Sequence, residues 1–189
     1  MDPKAFVDGL DSGQHILQIM SDTKKGKNIQ FRFVNNGLLK GEHCVYLTHE
    51  NPSTIKKQMI SAGIDVDKFT GTNQLDIHKI PNLMGNTQGT LRGFENLFAD
   101  LTKDLKKSAC RVVGRAIQDV NTDEGMAAEM EIEWFVHSAL RTFNGMILCY
   151  YDYFQLPPAK KASCVYQLCG CHHGAIISTH AEPGFAFST

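Results

Sequence analysis

The chain has 189 residues, a net charge of −1 at neutral pH, 42% apolar and 21% charged residues. This is the composition of one globular domain with a full core, and it supplies no basic field that would recruit nucleic acid. No apolar run approaches a membrane span. The first thirteen residues lack the charged and apolar regions of a secretion signal, so a cytoplasmic location is expected, with the six cysteines held as thiols.

Residues 1–13 read as a leader whose structure the sequence leaves open, and residues 14–189 as a single domain. The apolar run His15 to Met20 is short enough for a strand. A polar turn, Ser21 to Asn28, follows. Ile29, Phe31, Phe33, Val34, Leu38 and Leu39 then predict a helix with a wide apolar stripe, ending near Asn36-Gly37. Cys44 to Thr48 is a second strand, closing on His49-Glu50. Asn51 and Pro52 start a helix as cap and first residue, Ile55, Met59 and Ile60 give its buried face, and Gly63 stops it. Leu75 to Ile80 is a third strand, ended by Pro81 and followed by a polar loop to Thr90. Phe94, Leu97, Phe98, Leu101 and Leu105 recur at helical spacing.

Ala109 to Ile117 is rich in β-branched residues and reads as a strand. Gly125 to Phe143 reads as a helix whose apolar face is Ile132, Phe135, Val136, Ala139, Leu140 and Phe143. Glu129, Glu131, Glu133 and Arg141 are assigned to its solvated face. Met146 to Tyr151 is a buried strand ending in Asp152, whose carboxylate is expected to cap the next turn, with a metal or ligand role as the alternative. Pro157-Pro158 breaks the chain, Lys160 to Gly170 is a short helix, and Ala175 to Thr179 a last strand. Phe185 and Phe187 in the tail are expected to be exposed, or to dock on the domain or on a neighbour. Alternating strands and helices imply an α/β fold, a mainly parallel sheet covered on both faces. Ligands in such sheets bind beyond the carboxyl ends of the strands. That rule gathers Ser21–Asn28, His49-Glu50, Arg115 and Asp152 on one rim.

Between the first strand and its helix, Ser21-(four residues)-Gly26-Lys27-Asn28 has the spacing of a phosphate-binding loop. Gly26 would let backbone N–H groups approach an anion, Lys27 would reach phosphate oxygens, and the helix N-terminus favours negative charge. Ser21 stands where the pattern has Gly, and Asn28 where it has the Ser or Thr that holds Mg²⁺. The alternative is a solvated Lys/Gly turn. Lys24, Lys25 and Lys27, like Lys106 and Lys107, are local clusters of charge.

The run from Phe33 to Pro52 (FVNNGLLKGEHCVYLTHENP) resembles the RecA/KaiC-like ATPases, in which a helix ending in Gly and a Gly-Glu turn lead into a strand ending Thr-x-Glu, then Pro and a helix. Ala62 to Asp65 and Leu75 to His78 fit the same layout. The chain is most similar to the branch called the MEDS domain, a sensory domain of methanogens and methylotrophs with eroded nucleotide motifs. Cys110–Gly114, Leu148–Asp152 and His172–Ile177 sit where that branch has similar segments. The resemblance implies a P-loop-type fold and a ligand-binding or signalling role. Its ligand-binding candidates are Ser21, Lys24, Lys25, Gly26, Lys27, Asn28, Arg115 and Asp152. An active ATPase using ATP with Mg²⁺, with Lys27 on the phosphates and Glu50 orienting water, is the alternative. So is a structural subunit of a RecA-like assembly. Asn28 and Gly114-Arg115 replace two Mg²⁺-holding positions of the family, which implies slow or absent hydrolysis. A homo-oligomer or a separate signalling partner is expected.

Cys164, Cys169, Cys171, His172, His173 and His180 are metal ligands by type, but C-x4-C-x-C-H-H has no paired C-x2-C. Cys164, Val165, Leu168 and Cys169 fit one buried helix face, so structural thiols are expected and a metal site is the alternative.

Overall fold

The computed structural model describes residues 1–103, 109–141, 144–179 and 184–189. Within them the strands are β1 (His15–Met20), β2 (His43–Thr48), β3 (Leu75–Lys79), β4 (Cys110–Gly114), β5 (Gly145–Asp152), β6 (Gly174–Ser178) and β7 (Phe185–Ser188). They form one sheet in the order β3-β2-β4-β5-β1-β6-β7. Every neighbouring pair is parallel except β6 with β7. The α/β architecture expected from the alternation is therefore observed. Leu105, Lys106, Lys107, Phe143 and His180 lie outside the described residues.

Alternation along the strands sorts the core into two layers. Leu17, Ile19, Val45, Leu47, Val112, Ile147, Cys149 and Tyr151 point to one face, covered by α5 (Thr90–Thr102), α6 (Asp123–Ala139) and α7 (Lys161–Gly170). Ile16, Cys44, Tyr46, Val113, Met146 and Leu148 point to the other. That face is covered by α1 (Pro3–Asp8), α2 (Thr23–Leu39), α3 (Pro52–Ser61) and α4 (Val66–Gly71). In α3 the fully buried Ile55 and Met59 anchor the helix, each worth about 1.5–3 kcal/mol of burial. Ile60, expected on that face, is 48% exposed, because it lies one residue past Met59 and so about 100° round the helix.

Four features add to or correct the sequence expectation. The leader contains α1, started by Asp2, whose carboxylate accepts from Ala5 N, and it buries Phe6 and Val7. The turn expected over Ser21–Asn28 is only Ser21 and Asp22. Asp22 caps α2 by accepting from Lys25 N at 3.0 Å, so the helix begins at Thr23. At its other end α2 runs past Gly37 to Leu39. Gly37 is not a stop but a close contact: a Cβ there would lie 2.7 Å from Cδ of the fully buried Arg111. Lastly, the tail forms the antiparallel edge strand β7, which leaves Phe185 and Phe187 exposed and turns Ala186 into the core.

Among the described residues no helix is long and apolar enough to cross a membrane.

Candidate functional site

The carboxyl ends of β1, β2, β4 and β5 open onto a cleft of about 830 Å³. Met20, Thr48, Tyr150 and Asp152 come from the strand ends, Lys27 and Gln30 from α2, and His49, Glu50 and Arg115 from the loops after β2 and β4. Four of the candidates read from the sequence, Lys27, Glu50, Arg115 and Asp152, are thus brought together. Asp152 is also the expected cap, since its Oδ1 accepts from Phe154 N at 2.8 Å. Ser21 donates its N–H to Ser178 O at 2.9 Å. Lys24, Lys25 and Asn28 are exposed and do not line the cleft, and Lys25 Nζ reaches Thr179 O at 3.3 Å.

The phosphate-loop geometry is absent at Ser21–Asn28. Gly26 N donates to Asp22 O at 2.8 Å as an ordinary helical bond, so that amide is not free to meet an anion. The reason Gly occupies position 26 is packing: a Cβ would meet Met20 Sδ at 2.2 Å. Lys27 Nζ is held between Glu50 Oε1 at 2.6 Å and Gln58 Oε1 at 2.9 Å. The two residues an ATPase would use therefore neutralise each other.

Below the cleft floor lies a ladder of buried amides. Gln18 Nε2 donates to Gly26 O at 3.0 Å, Gln30 Nε2 to Gln18 Oε1 at 3.0 Å, and the Tyr46 hydroxyl to Gln30 Oε1 at 2.6 Å. Arg115 is buried, with Nη1 on Gln155 Oε1 at 3.1 Å and Nη2 on Gln118 O at 2.8 Å. Its Nε has no hydrogen-bond partner. His49 Nε2–H donates to Arg115 O at 3.1 Å. Burial first, and then the Arg115 charge, push its pKa down, so the ring is neutral at physiological pH. Burial raises the Tyr150 phenol to about 12, which keeps it a neutral donor on the cleft wall.

On the opposite face of the sheet, α6 turns Glu129 and Glu133 inward, both 1% exposed. The sequence pattern assigns them to the solvated face of this helix, and the structure corrects that. Met126, Glu129, Glu133, Val136 and Leu140 recur at three- and four-residue spacing on the face that meets the sheet. Glu129 accepts from Ala116 N at 3.1 Å and Ile117 N at 2.5 Å, where β4 has ended and no strand partner remains. The Tyr151 hydroxyl lies between Glu129 Oε1, at 2.8 Å, and Glu133 Oε1.

Glu133 Oε2 faces two imidazoles: His15 Nε2 at 3.1 Å and His172 Nε2 at 3.5 Å. Cys149 Sγ is 3.2 Å from the same His15 nitrogen. Burial, followed by the adjacent His15, lowers the His172 pKa to about 3. Burial pushes Glu133 up, yet His172 and His15 beside it outweigh burial and leave it below its usual range. A neutral His172 supplies no charge to hold Glu133 down. The His172 ring is neutral, because burial opposes a charge there, and its Nδ1–H is committed to Leu168 O at 2.6 Å.

The cysteine and histidine candidates are dispersed. Cys164 is buried and Cys169 half-buried on the core side of α7, and the Cys171 thiol donates to Leu168 O at 3.3 Å. His173 is exposed and accepts from His15 N at 3.0 Å. Among the described residues of that set, only His172 joins the buried group. His15, Glu133 and Cys149 were missed as site residues. The available signals were a histidine opening an apolar strand and two glutamates four residues apart on a core stripe.

The model of the family described as MEDS, the MEthanogen/methylotroph, DcmR Sensory domain, matches residues 14–172. No curated protein matches the sequence. Among solved structures, the chain is similar to a KaiC-like protein from the hyperthermophilic archaeon Pyrococcus horikoshii OT3. The TM-score is 0.64 at 14% identity, covering 92% of this chain and 76% of that one. At that identity the likeness establishes a KaiC-like fold.

Proposed function

We propose that this chain, which belongs to the MEDS family of sensory domains, senses a small polar molecule in the cleft at the carboxyl ends of β1, β2, β4 and β5, and does not hydrolyse nucleoside triphosphates. The observation that carries this reading is the start of α2 at Thr23, two residues after β1 ends. A nucleotide's phosphates need a loop of free amides at that point. Here Asp22 and the helix itself use the amides of Lys25 and Gly26. The cleft beside it, at about 830 Å³, has the size of a small-molecule site. Arg115 Nε–H on its wall is a buried donor without a partner, which favours a ligand carrying an acceptor or an anionic group.

A thermal-shift screen of small molecules, with and without ATP-Mg²⁺, tests the reading, because a ligand that binds only the folded state raises its stability. The expected hit stabilises the wild type and loses its effect in Arg115→Gln. Stabilisation confined to ATP-Mg²⁺, with turnover abolished in Glu50→Gln, would instead favour the ATPase.

Signal output is proposed to run through self-association. The exposed Phe185 and Phe187 rings stack at 6.0 Å on β7, an edge strand with one side open to pairing. Light scattering over a range of concentrations is expected to show a dimer or larger species that Phe185→Ser/Phe187→Ser weakens. A monomer under all conditions leaves only a separate partner.

A further inference from the structure

His15, Glu133, Cys149 and His172 carry the three ligand types that a borderline-soft cation selects, and they come from four different elements. His15 opens β1, Cys149 lies in β5, Glu133 in the middle of α6, and His172 in the turn between α7 and β6. One donor atom from each lies within 4.8 Å of the other three, and all four residues are buried. We propose that this group is a structural zinc site, with His15 Nε2, His172 Nε2, Cys149 Sγ and a Glu133 carboxylate oxygen as ligands.

The spacing fits. Tetrahedral zinc with bonds of about 2.0–2.3 Å separates its ligand atoms by roughly 3.3–3.8 Å. The measured separations are 3.1 Å from His15 Nε2 to Glu133 Oε2, 3.2 Å from His15 Nε2 to Cys149 Sγ, and 3.5 Å from His172 Nε2 to Glu133 Oε2. The other pairs lie within 4.8 Å, so closing all four onto one ion takes relative shifts of at most about 1 Å.

Tautomers fit as well. His15 Nδ1 lies 2.9 Å from Cys171 O, and His172 Nδ1 lies 2.6 Å from Leu168 O. A carbonyl only accepts, so each ring carries its proton on Nδ1. In the neutral rings that leaves both Nε2 lone pairs facing the same point. This is the second shell that metal-bound histidines use. Glu133 Oε2 and His172 Nε2 are buried without a hydrogen-bond partner, and a cation between them would satisfy both. The Tyr151 hydroxyl on Glu133 Oε1 orients the carboxylate from behind. Four protein ligands leave no open position, so the site ties elements together and performs no chemistry. Thiolate, imidazole and carboxylate together suit Zn²⁺ better than Mg²⁺ or Ca²⁺. Binding releases the Cys149 thiol proton, since the thiolate is the ligand.

The test uses the full chain. Metal content is measured after purification without chelator, and the stripped protein is titrated with Zn²⁺ or Co²⁺ alone. A single zinc per chain is expected, along with a higher thermal midpoint on adding Zn²⁺. The Co²⁺ form should show tetrahedral d–d bands and a thiolate-to-cobalt charge-transfer band. That band should vanish in Cys149→Ser and persist in Cys164→Ser and Cys169→Ser. His172→Gln is expected to weaken Zn²⁺ by more than the about 100-fold upper range for losing an outer-shell partner. A folded wild type that takes up neither ion overturns the proposal, whatever the variants do. So does a charge-transfer band that survives Cys149→Ser or follows Cys164 or Cys169. Should Cys149→Ser not fold, Glu133→Gln and the wild-type titration decide the matter.

Discussion

Replacing Tyr151 with Phe deletes one oxygen at the point where two buried carboxylates meet. The hydroxyl touches Glu129 Oε1 at 2.8 Å and Glu133 Oε1 as well. Having one hydrogen, it donates to one glutamate and accepts a hydrogen bond from the protonated carboxyl O–H of the other. Burial, and then the neighbouring Glu133, push Glu129 up to about 7, so near pH 6 Glu129 holds the shared proton and the Tyr151 hydroxyl donates to Glu133. Tyr151→Phe therefore removes the hydrogen bond to Glu133, worth about 0.5–1.5 kcal/mol, and leaves the Glu129 proton without an acceptor, a further cost of about 1–3 kcal/mol. The ring is retained, so little cavity term is added. The expected loss is about 2–4 kcal/mol, a large part of the roughly 5–15 kcal/mol that holds a domain folded. Urea titration at pH 6 should show the midpoint falling with the slope unchanged. Hydrogen exchange should show the Ala116 and Ile117 amides, which Glu129 caps, losing protection. A midpoint loss worth under about 0.5 kcal/mol, the usual range for inconsequential substitutions, with both amides still protected, would refute the shared-proton picture.

Lys27→Ala should weaken any nucleotide or phosphate binding by about 1.5–3 kcal/mol, read by calorimetry. Unchanged affinity with the fold intact would mean that Lys27 only closes its pair with Glu50. ATP turnover should stay below on the order of one per second and be indifferent to Glu50→Gln; faster turnover that the variant abolishes would reverse this. Asp8 is held down from 3.8 to about 2, chiefly by the Arg32 guanidinium and then by Asn36. Its contribution is therefore present above about 3.8 and fades as pH falls through about 2. Because the pair is 41–42% exposed, solvent screens it and the effect is small. Urea midpoints taken in steps from pH 5 to 2 should show the gap between wild type and Asp8→Asn closing on the acid side; a constant gap would rule it out.

Much of the fold was legible because strands buried on both faces leave apolar runs, and β1, β2 and β5 were read within a residue or so. The start of α2 was not, because Thr23 to Asn28 has polar and glycine residues that read as a turn. Only Asp22 meeting the Lys25 amide, and Gly26 meeting Met20, decide it for helix. The rim was legible from topology, which placed Lys27, Glu50, Arg115 and Asp152 at strand ends. The buried face of α6 was not. A glutamate's charge argues for solvent, and only the partners supplied by Tyr151, His15, Ala116 and Ile117, distant in sequence, make its burial tolerable.

The strand order also constrains how the chain is made. β1 pairs with β5 and β6 alone, and the stretch from Ser21 to Asn144 must be synthesised before its first partner begins. At about 5–20 residues per second that takes on the order of ten seconds. Throughout that interval His15 to Met20, buried at every position in the finished sheet, has no native partner. The earliest native pairing is β2 with β3, which are neighbours in both sequence and sheet. Closure of the sheet centre is consequently a late, long-range event of the kind that slows folding. The stages before it expose the apolar edge most prone to pairing with another chain.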